Sequence, residues 1–420
     1  MRLVDSNLAD ESGFHLPFGR DVVITGYGAI SCCGNDGDTF FSGLFDHPPK
    51  SVPRIVEDFD PLNYFDPKEA RRIDRFAQFA VAAAHEALSR AGISPDLLED
   101  GSVNLPPNMD PERAGVVIAT GIGGLATLES QIIVNENKGP RRVSPFLVPM
   151  MMPNAAAAAV SMRFGWQGPC ETATTACAAG TQAIGNAARL VASGRCDIVL
   201  AGGSESSLTP TAIAAFGNMT ALSTSGVSKP FDRSRDGFIM AEGAGVLVLE
   251  SRQSAMARGA TILALIKGAS SGADAHHITA PAPGGRGAIA CMSRAISDAG
   301  LTVSDIGQIN AHGTSTPLND LAEAQAIAKL FGKNAPPVTS IKGVTGHALG
   351  AAGALEAVAC VLSIRNKLIP PTMGLENVDE EISIDIVLDK NRIWEPKAIL
   401  SNSFGFGGHN GCLVIAPDDM

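Results

Sequence analysis

The chain has 420 residues, of which 45% are hydrophobic and 18% charged, and it contains 45 glycines and 26 prolines. This composition excludes a collagen, a coiled coil and a disordered acidic chain, and at roughly 100 to 200 residues per domain the length fits about two to three domains or one large duplicated unit. The formal net charge of −11 argues against nucleic acid as a partner, because a phosphate backbone is bound by clustered lysines and arginines.

The first twenty residues show neither the period of a helix nor that of a strand, so residues 1–20 are predicted to be an N-terminal extension outside the fold. This segment lacks the basic start and the apolar centre of a signal peptide. No apolar run in the sequence reaches the roughly 18 residues of a membrane span. We therefore expect a cytoplasmic protein with no membrane span.

From residue 21 to residue 267, short β-branched runs alternate with alanine-rich helical stretches. The predicted strands are 22–25, 115–120, 197–201, 245–250 and 262–267, and the predicted helices are 76–91 and 180–193. This alternation is typical of βαβ units and predicts a buried parallel sheet. The stretch 223–236, rich in serine, glycine and proline, is predicted to be a surface loop.

The alternation begins again after about residue 268. The predicted helices are 286–299, 320–331 and 349–367, and the predicted strands are 306–311, 398–401 and 411–416. The last two strands flank a glycine-rich turn, which favours a hairpin. We therefore predict an α/β protein of two comparable halves, residues 21–267 and 268–420.

Eight cysteines are scattered along the chain with no CxxC pair, so neither a disulfide framework nor a zinc site is indicated. Cys177 stands in the stretch TTACAAG, residues 174–180, at the start of a predicted helix. A thiol at a helix N-terminus is expected to have a lowered pKa and to favour the thiolate. A free cysteine among small residues is more often simply buried.

Two histidines stand in glycine-bounded motifs. His312 lies in NAHGTSTP, residues 310–317, and His347 ends SIKGVTGH, residues 340–347. A cysteine with one histidine suggests a hydrolase. A cysteine with two histidines suits a reaction that needs two N–H donors on one oxyanion, such as the enolate left when a malonyl thioester loses carbon dioxide. Each histidine alone can equally be a satisfied core residue, and a metal site needs a third ligand at suitable spacing.

These motifs together resemble those of the β-ketoacyl-(acyl-carrier-protein) synthases of the elongating type, synthases I and II. The resemblance covers about residues 21–417. The motifs stand in the family's order: VITG at 23–26, TACAAG at 175–180, HGTST at 312–316, Lys342 with TGH at 345–347, and NSFGFGG at 402–408. The sequence CAAG at 177–180 is closer to synthase II. The resemblance implies a thiolase-like fold of two similar α/β halves, layered α-β-α-β-α, and a homodimer.

The resemblance also implies a ping-pong condensation in fatty acid chain elongation. The acyl group would be transferred onto Cys177, malonyl-carrier would be decarboxylated, and the carbanion would attack the acyl-enzyme. His312 and His347 would stabilise the malonyl oxyanion, and the backbone N–H groups of Cys177 and Phe406 would form the oxyanion hole for the acyl thioester. No cofactor or metal is implied, since acyl carrier protein brings the substrates on its phosphopantetheine arm.

Other residues of the site carry over from the family in the same way. Lys342 would organise the site, paired with Glu323. Phe406 would be the gate between Cys177 and the acyl tunnel. The tunnel would be lined by Ile122 and Phe216, and the pantetheine arm held by the hydroxyls of Thr314 and Thr316.

An acidic carrier protein would be repelled by a chain of net charge −11 unless cations cluster where it docks. Lys68, Arg71 and Arg72 stand at i, i+3 and i+4, which predicts one helical face. Arg141 and Arg142 lie at a second docking position of the family. An ordinary solvated basic face is the alternative interpretation.

Three other functions remain open at this point. A polyketide ketosynthase would have the same three catalytic residues and a different acyl chain. A chain-length-factor-like partner subunit would share the fold, but Cys177 argues against it because such subunits lose the nucleophile. A chain-initiating synthase would have asparagine where His347 stands.

Overall fold

The strands of the protein form one mixed sheet in the computed structural model, which describes residues 19–95, 105–106, 109–388 and 392–420. Residues 1–18 of the predicted extension lie outside the described residues. The strands are β1 (Val22–Ile30), β2 (Ala114–Ala119), β3 (Cys170–Glu171), β4 (Ile198–Glu205), β5 (Gly243–Ser251), β6 (Ala264–Ala273), β7 (Ile306–Asn310), β8 (Val338–Thr339), β9 (Ala398–Gly405) and β10 (His409–Ala416). Their order across the sheet is β3-β2-β4-β5-β1-β6-β10-β9-β7-β8.

The helices cover the sheet on the outside of each half and also fill the space between the halves. They are α1 (Gly37–Gly43), α2 (Pro67–Ala70), α3 (Arg75–Arg90), α4 (Leu125–Lys138), α5 (Leu147–Met151), α6 (Ala155–Phe164), α7 (Ala179–Ala192), α8 (Pro210–Asn218), α9 (Arg252–Ala257), α10 (Arg286–Asp298), α11 (Pro317–Phe331), α12 (Lys342–Thr345) and α13 (Ala352–Asn366). Helices α7 and α13 pack against each other and against strands of both halves. Helices α3 and α6 cover the first half, and α10 and α11 cover the second. The predicted five-layer, thiolase-like α/β fold is confirmed.

The two halves of the sheet repeat one pairing pattern. In β3-β2-β4-β5-β1 and in β8-β7-β9-β10-β6, two parallel pairings are followed by two antiparallel ones. The halves meet where β1 runs antiparallel to β6, with Val23 opposite Leu265. The exact division at residues 267 and 268 stays a prediction.

The prediction of a parallel sheet was only partly correct, since β2 pairs in parallel with β3 and β4, and β7 with β8 and β9, whereas the other pairings are antiparallel. Strands β1, β5, β6 and β10 have only antiparallel partners in the described sheet. The strand direction was predicted wrongly because β5 is buried at every residue. A continuous apolar run of this kind indicates that both faces of the strand are buried. It does not report the direction of the neighbouring strand.

Strand β4 is longer than predicted and continues through Gly202 and Gly203 instead of ending there. A Cβ at Gly202 would lie 1.9 Å from the carbonyl oxygen of Gly245, and one at Gly203 would lie 2.6 Å from that of Gly350. These glycines therefore permit a close approach of β5 and of the segment before α13. They do not mark the end of the strand.

The segment 223–236 is a surface loop only in its first part. Ser228, Phe231, Asp232 and Arg235 are buried. Asp232 accepts the backbone N–H groups of residues 376 and 377, and Arg235 pairs with Asp379 at 2.6 Å. The polar composition therefore reflects internal hydrogen bonds as well as solvent exposure.

One helical stretch of the described chain, Leu349–Asn366, is long and apolar enough to cross a membrane. It comprises a single 3-10 turn followed by α13, and 89% of the stretch is buried inside the protein. The core helix of a soluble protein passes the same test.

Candidate active site

The site lies where four segments of the chain meet: the start of α7 with Cys177, the end of β7 with His312, the end of α12 with His347, and the β9–β10 turn with Phe406. Cys177 is 7% exposed, and His312 and His347 are 2% and 1% exposed. One potential ligand atom from each of these three side chains lies within 4.8 Å of the others. The structure therefore brings together the three residues predicted to be catalytic.

Cys177 lies in a tight turn immediately before α7. The preceding residue, Ala176, has a φ of 49°, in the left-handed region that a side chain rarely adopts. Gly405 lies close by, and a Cβ there would be 3.0 Å from the backbone nitrogen of Cys177. The backbone N–H groups of Phe406 and of Cys177 itself act on the sulfur and favour its anion. Two N–H donors from different segments thus converge on the reacting atom.

The thiol of Cys177 does not have the lowered pKa that its position before a helix predicted. Burial raises the pKa of this thiol to about 11, against the attraction of Lys342 and the backbone N–H groups. The expectation was wrong because removing the thiolate from water outweighs the donors around it. The thiol of Cys177 is therefore protonated near pH 7.

The two histidine rings face each other edge to face, with centroids 5.4 Å apart. Burial, with the charge of Lys342 and the neighbouring ring, keeps the pKa of His312 well below 6.5, and burial with Lys342 does the same for His347. Both imidazoles are therefore neutral, and each carries one N–H. The Nδ1 atoms of both rings are buried without a hydrogen-bond partner among the described residues.

The backbone of the histidines is fixed by groups from distant parts of the chain. The carboxylate of Glu323, on α11, accepts the backbone N–H groups of His312 and Gly313, each at 2.8 Å. The N–H of His347 donates to the carbonyl oxygen of Ile239 at 2.7 Å. The hydrogen bonds of the main chain thus fix the position of each histidine. The polar edge of each ring stays available for a hydrogen bond to another group.

The predicted pairing of Lys342 with Glu323 was wrong. Lys342 is 1% exposed, and its Nζ donates to the carboxylate of Glu356 and, at 2.7 Å, to the carbonyl oxygen of His312. Glu356 stands on α13, which the chain path brings against α12, whereas both carboxylate oxygens of Glu323 accept backbone N–H groups. Burial raises the pKa of Glu323 and that of Glu356 to about 7, and Lys342 opposes the rise at Glu356.

A cavity of about 560 Å³ opens onto Cys177 and both histidines. The residues predicted to line the tunnel and to hold the pantetheine arm all lie on its wall: Ile122, Phe216, Phe406, Thr314 and Thr316. The hydroxyl oxygens of Thr314 and Thr316 are 2.9 Å apart. The ring of Phe406 lies 6.4 Å from that of Phe216, and both rings pack against the apolar cluster that contains Cys177.

Phe238 and Glu356 are part of the site but were not found from the sequence. The ring of Phe238 packs edge to face against His347, with centroids 5.1 Å apart. Glu356 is the buried partner of Lys342. An acidic residue inside an alanine-rich helix was the only available signal for Glu356, and nothing local marks Phe238.

The five predicted docking cations are all exposed, and none forms an ion pair within the part of the chain that the structure describes. Helix α2 ends at Ala70, so Arg71 is its C-terminal cap and Arg72 lies beyond the helix. The prediction that Lys68, Arg71 and Arg72 share one helical face was therefore wrong. The guanidinium of Arg72 lies 4.5 Å from the centre of the Phe146 ring. Phe146 belongs to the segment that follows Arg141 and Arg142, so this contact brings Arg72 against that segment.

The same cysteine and histidines are a possible ligand set for a metal, since thiolate and imidazole bind zinc. In tetrahedral geometry a zinc ion would hold its ligand atoms about 3.3 to 3.8 Å apart. The three ligand atoms of Cys177, His312 and His347 lie within 4.8 Å of one another. The expectation that the protein uses no metal and no cofactor stays a prediction.

Two family models match the chain. The β-ketoacyl synthase N-terminal domain matches residues 50–255, and the β-ketoacyl synthase C-terminal domain matches residues 263–376. Together they contain Cys177, His312 and His347. The C-terminal match ends before the β9–β10 turn with Phe406.

Curated relatives and solved structures extend this similarity over nearly the whole chain. The 3-oxoacyl-[acyl-carrier-protein] synthase 2 of Synechocystis sp. is 42% identical over 417 residues, which cover 94% of this chain and 98% of the relative. A β-ketoacyl synthase from Burkholderia phymatum superposes with a TM-score of 0.85 at 32% identity, covering 95% of this chain and 99% of that one. The AntDE:AntF complex, a type II PKS acyl-carrier protein with its ketosynthase, gives a TM-score of 0.84 at 31% identity, covering 95% and 100%.

Proposed function

Because the chain belongs to the β-ketoacyl synthase family, we propose that its buried cysteine and two histidines catalyse the decarboxylative Claisen condensation of fatty acid chain elongation. The chain is a ketosynthase of the 3-oxoacyl-[acyl-carrier-protein] synthase 2 type. The observation that carries the assignment of roles is the convergence of a thiol, two neutral imidazoles and two backbone N–H groups on one apolar cavity.

In the first step, the sulfur of Cys177 attacks the acyl thioester, and the pantetheine thiol leaves. Because burial raises the pKa of Cys177 to about 11, the thiol proton moves to a neighbouring neutral imidazole during the attack and from there to the departing thiolate. The carbonyl oxygen becomes an oxyanion that accepts the N–H groups of Cys177 and Phe406. The product is the acyl-enzyme, with no net gain or loss of protons.

In the second step, malonyl-carrier loses carbon dioxide and leaves an enolate. Its oxygen accepts one N–H from His312 and one from His347, both available because these rings are neutral. In the third step, the enolate carbon attacks the acyl carbonyl. The Cys177 thiolate then leaves and takes up one proton from water, which restores the neutral thiol, and the chain has grown by two carbons.

We propose acyl carrier protein as the partner that brings both substrates. The support is the group of exposed cations at Lys68, Arg71, Arg72, Arg141 and Arg142, which form no ion pair with any residue that the structure describes, together with the contact of Arg72 with Phe146. A solved neighbour of this chain contains such a carrier bound to its own ketosynthase. Electrostatic attraction of an acidic carrier to these cations would raise its rate of association.

We also propose a homodimer. Strand β3 (Cys170–Glu171) lies at one edge of the sheet with both residues exposed, so its free backbone groups can pair with a second copy. Helix α6 adjoins β3, and exposed apolar side chains on α4 and α6 include Ile132, Ile133 and Met162. Light scattering coupled to size exclusion would give the mass of two chains, and a monomer at micromolar concentration would contradict it.

The cytoplasmic location expected from the sequence stays a prediction.

Intact-mass spectrometry tests the catalytic proposal. Wild type and Cys177→Ala are incubated with acyl-carrier proteins of graded chain length and then with malonyl-carrier. We expect an acyl adduct on wild type alone, discharged as a product two carbons longer. No adduct with any primer would point to a partner subunit, and a chain extended several times without reduction would point to a polyketide ketosynthase.

A further inference from the structure

Two cysteines outside the catalytic site occupy a tight turn after β1. Ser31 and Gly34 exchange backbone hydrogen bonds of 2.9 and 3.1 Å, and Cys32 and Cys33 are the two residues between them. Their sulfur atoms lie 3.9 Å apart, and both residues are partly exposed. The two adjacent thiols therefore lie in a turn that is partly open to solvent.

A buried cation lies beside this pair with no carboxylate to balance it. Arg54 is 2% exposed, its Nε has no hydrogen-bond partner, and none of the ion pairs among the described residues includes it. Its one side-chain hydrogen bond that the structure records runs to the carbonyl oxygen of Ser51 at 2.6 Å. An unpaired buried guanidinium favours an anion near it, and the two thiols are the groups whose negative charge would raise the pKa of Arg54 against the effect of burial.

The two thiols differ in acidity. The contact with Cys33 and the charge of Arg54 lower the pKa of Cys32 despite burial and the opposing charge of Glu242. The same contact with Cys32, together with burial, raises the pKa of Cys33. Cys32 is thus the more acidic of the two thiols and Cys33 the less acidic, which is the asymmetry that favours attack by one sulfur and resolution by the other.

The pair touches the segment that carries the catalytic groups. The thiol of Cys32 donates to the carbonyl oxygen of Thr345 at 3.5 Å and to that of Val344 at 3.9 Å, both on α12. Helix α12 begins with Lys342, and His347 follows two residues after its end. A movement of the Cys32 sulfur therefore changes a contact with the backbone that leads to His347.

We propose that Cys32 and Cys33 form a reversible oxidation site, which reacts with small aliphatic disulfides and closes to a disulfide between the two adjacent residues. The Cys32 thiol gives up its proton and its sulfur attacks one sulfur of the disulfide RSSR, so that a Cys32–SR bond forms and RS⁻ leaves and takes up a proton. The Cys33 thiol then gives up its proton and attacks the sulfur of Cys32, which expels a second RS⁻ that takes up that proton. RSSR is reduced to two thiols, and the cysteine pair is oxidised by two electrons.

The closed form would be easily reduced again. Adjacent α-carbons lie about 3.8 Å apart, whereas disulfides usually join α-carbons about 4.4 to 6.8 Å apart, and departures from this range make the bond more reducible. Closure also requires the sulfurs to approach from 3.9 Å to about 2.05 Å. At least one sulfur must move, and the contact of Cys32 with Thr345 is the one at risk.

Peptide mapping tests the reaction without involving the catalytic thiol. The Cys177→Ala protein is treated with oxidised glutathione, and we expect the peptide with residues 32 and 33 to lose two hydrogen atoms and retain no glutathione. Adding Cys33→Ser should leave one glutathione on Cys32, since the resolving thiol is gone. Adding Cys32→Ser instead should prevent both products. An unmodified pair, or a Cys33→Ser protein with no adduct, would overturn the proposal.

A second measurement tests the link to the catalytic segment and rests on the proposed function. Cys177→Gln protein, with and without Cys32→Ser and Cys33→Ser together, is assayed for decarboxylation of malonyl-carrier before oxidation, after it, and after dithiothreitol. We expect oxidation to lower the rate about tenfold in the protein with both thiols, since small misplacements of catalytic groups have effects of this size, and dithiothreitol to restore it. An unchanged rate with the disulfide verified would overturn this link. No decarboxylation before oxidation would refute the assigned histidine roles, and the peptide map would still decide the oxidation site.

Discussion

The ammonium group of Lys342 binds the carboxylate of Glu356 in a place where both side chains are nearly inaccessible to water, at 2% and 1% exposure. The same ammonium group holds the carbonyl oxygen of His312. The ion pair therefore connects α12, α13 and the histidine at the end of β7. The same ammonium group thus takes part in a buried ion pair and holds the backbone of His312 in place.

Removing the cation should leave Glu356 buried without a partner. We expect Lys342→Met to lower the free energy of unfolding by about 3 to 5 kcal/mol. A double-mutant cycle with Glu356→Gln should show strong coupling, and the matched cycle with Glu323→Gln should show little, as measured by urea denaturation. Equal coupling to both carboxylates would contradict the pairing seen here.

The same variant should have a stability that depends on pH. In Lys342→Met the pKa of Glu356, already raised to about 7 by burial, rises further because its attracting charge is gone. A carboxyl with a raised folded pKa stays protonated in the native state while the unfolded state ionises, so stability is lost as pH rises above about 4.5. Urea denaturation at pH 5 and pH 8 should show the loss at pH 8. The Lys342→Met/Glu356→Gln double variant is the control without this dependence.

The raised pKa of Cys177 predicts slow alkylation near neutral pH. Since burial raises that pKa to about 11, the thiolate fraction should grow about tenfold for each pH unit between pH 7 and 9. The rate of Cys177 labelling by iodoacetamide, read by peptide mass in a Cys32→Ser background, should follow this slope. A plateau below pH 8 would mean that a thiolate is already formed at neutral pH.

Cys177→Gln separates decarboxylation from condensation. The amide imitates an acylated thiol, so we expect this variant to release carbon dioxide from malonyl-carrier without extending any chain. His312→Ala or His347→Ala in the same background should each reduce the release by about 10²- to 10³-fold, the usual effect of removing one oxyanion donor. Carbon dioxide release from labelled malonyl-carrier measures both. An inert Cys177→Gln protein, correctly folded, would count against the histidine roles.

Charge reversal should weaken the use of carrier protein. Arg71→Glu with Arg72→Glu removes two exposed cations, and we expect kcat/KM for acyl-carrier protein to fall about tenfold or more, with a smaller salt dependence. The matched control is Lys329→Glu with Lys333→Glu, which makes the same change in net charge at exposed sites on and after α11. Both proteins should process a small pantetheine thioester at the wild-type rate. Equal losses with both substrates would refute docking at Arg71 and Arg72.

The sequence predicted most of the elements because local patterns report local structure. Helix α3 was expected at 76–91 and spans Arg75–Arg90, and the hairpin of β9 and β10 is formed as expected. The motifs around Cys177, His312 and His347 predicted the three side chains that the structure brings together at the cavity, since each combines a reactive side chain with the small residues that let a substrate approach. These features depend on residues close together in the sequence.

Tertiary structure alone decided the rest, because it depends on which distant segments the chain path brings together. A buried apolar run does not state whether its neighbour is parallel, so the antiparallel centre of the sheet could not be predicted. The partner of Lys342 is Glu356 because the chain path places the side chain of Glu356 next to the Lys342 ammonium group, whereas the carboxylate of Glu323 is turned to the backbone of His312 and Gly313. The pKa of Cys177 rises because residues far away in the sequence exclude water from it.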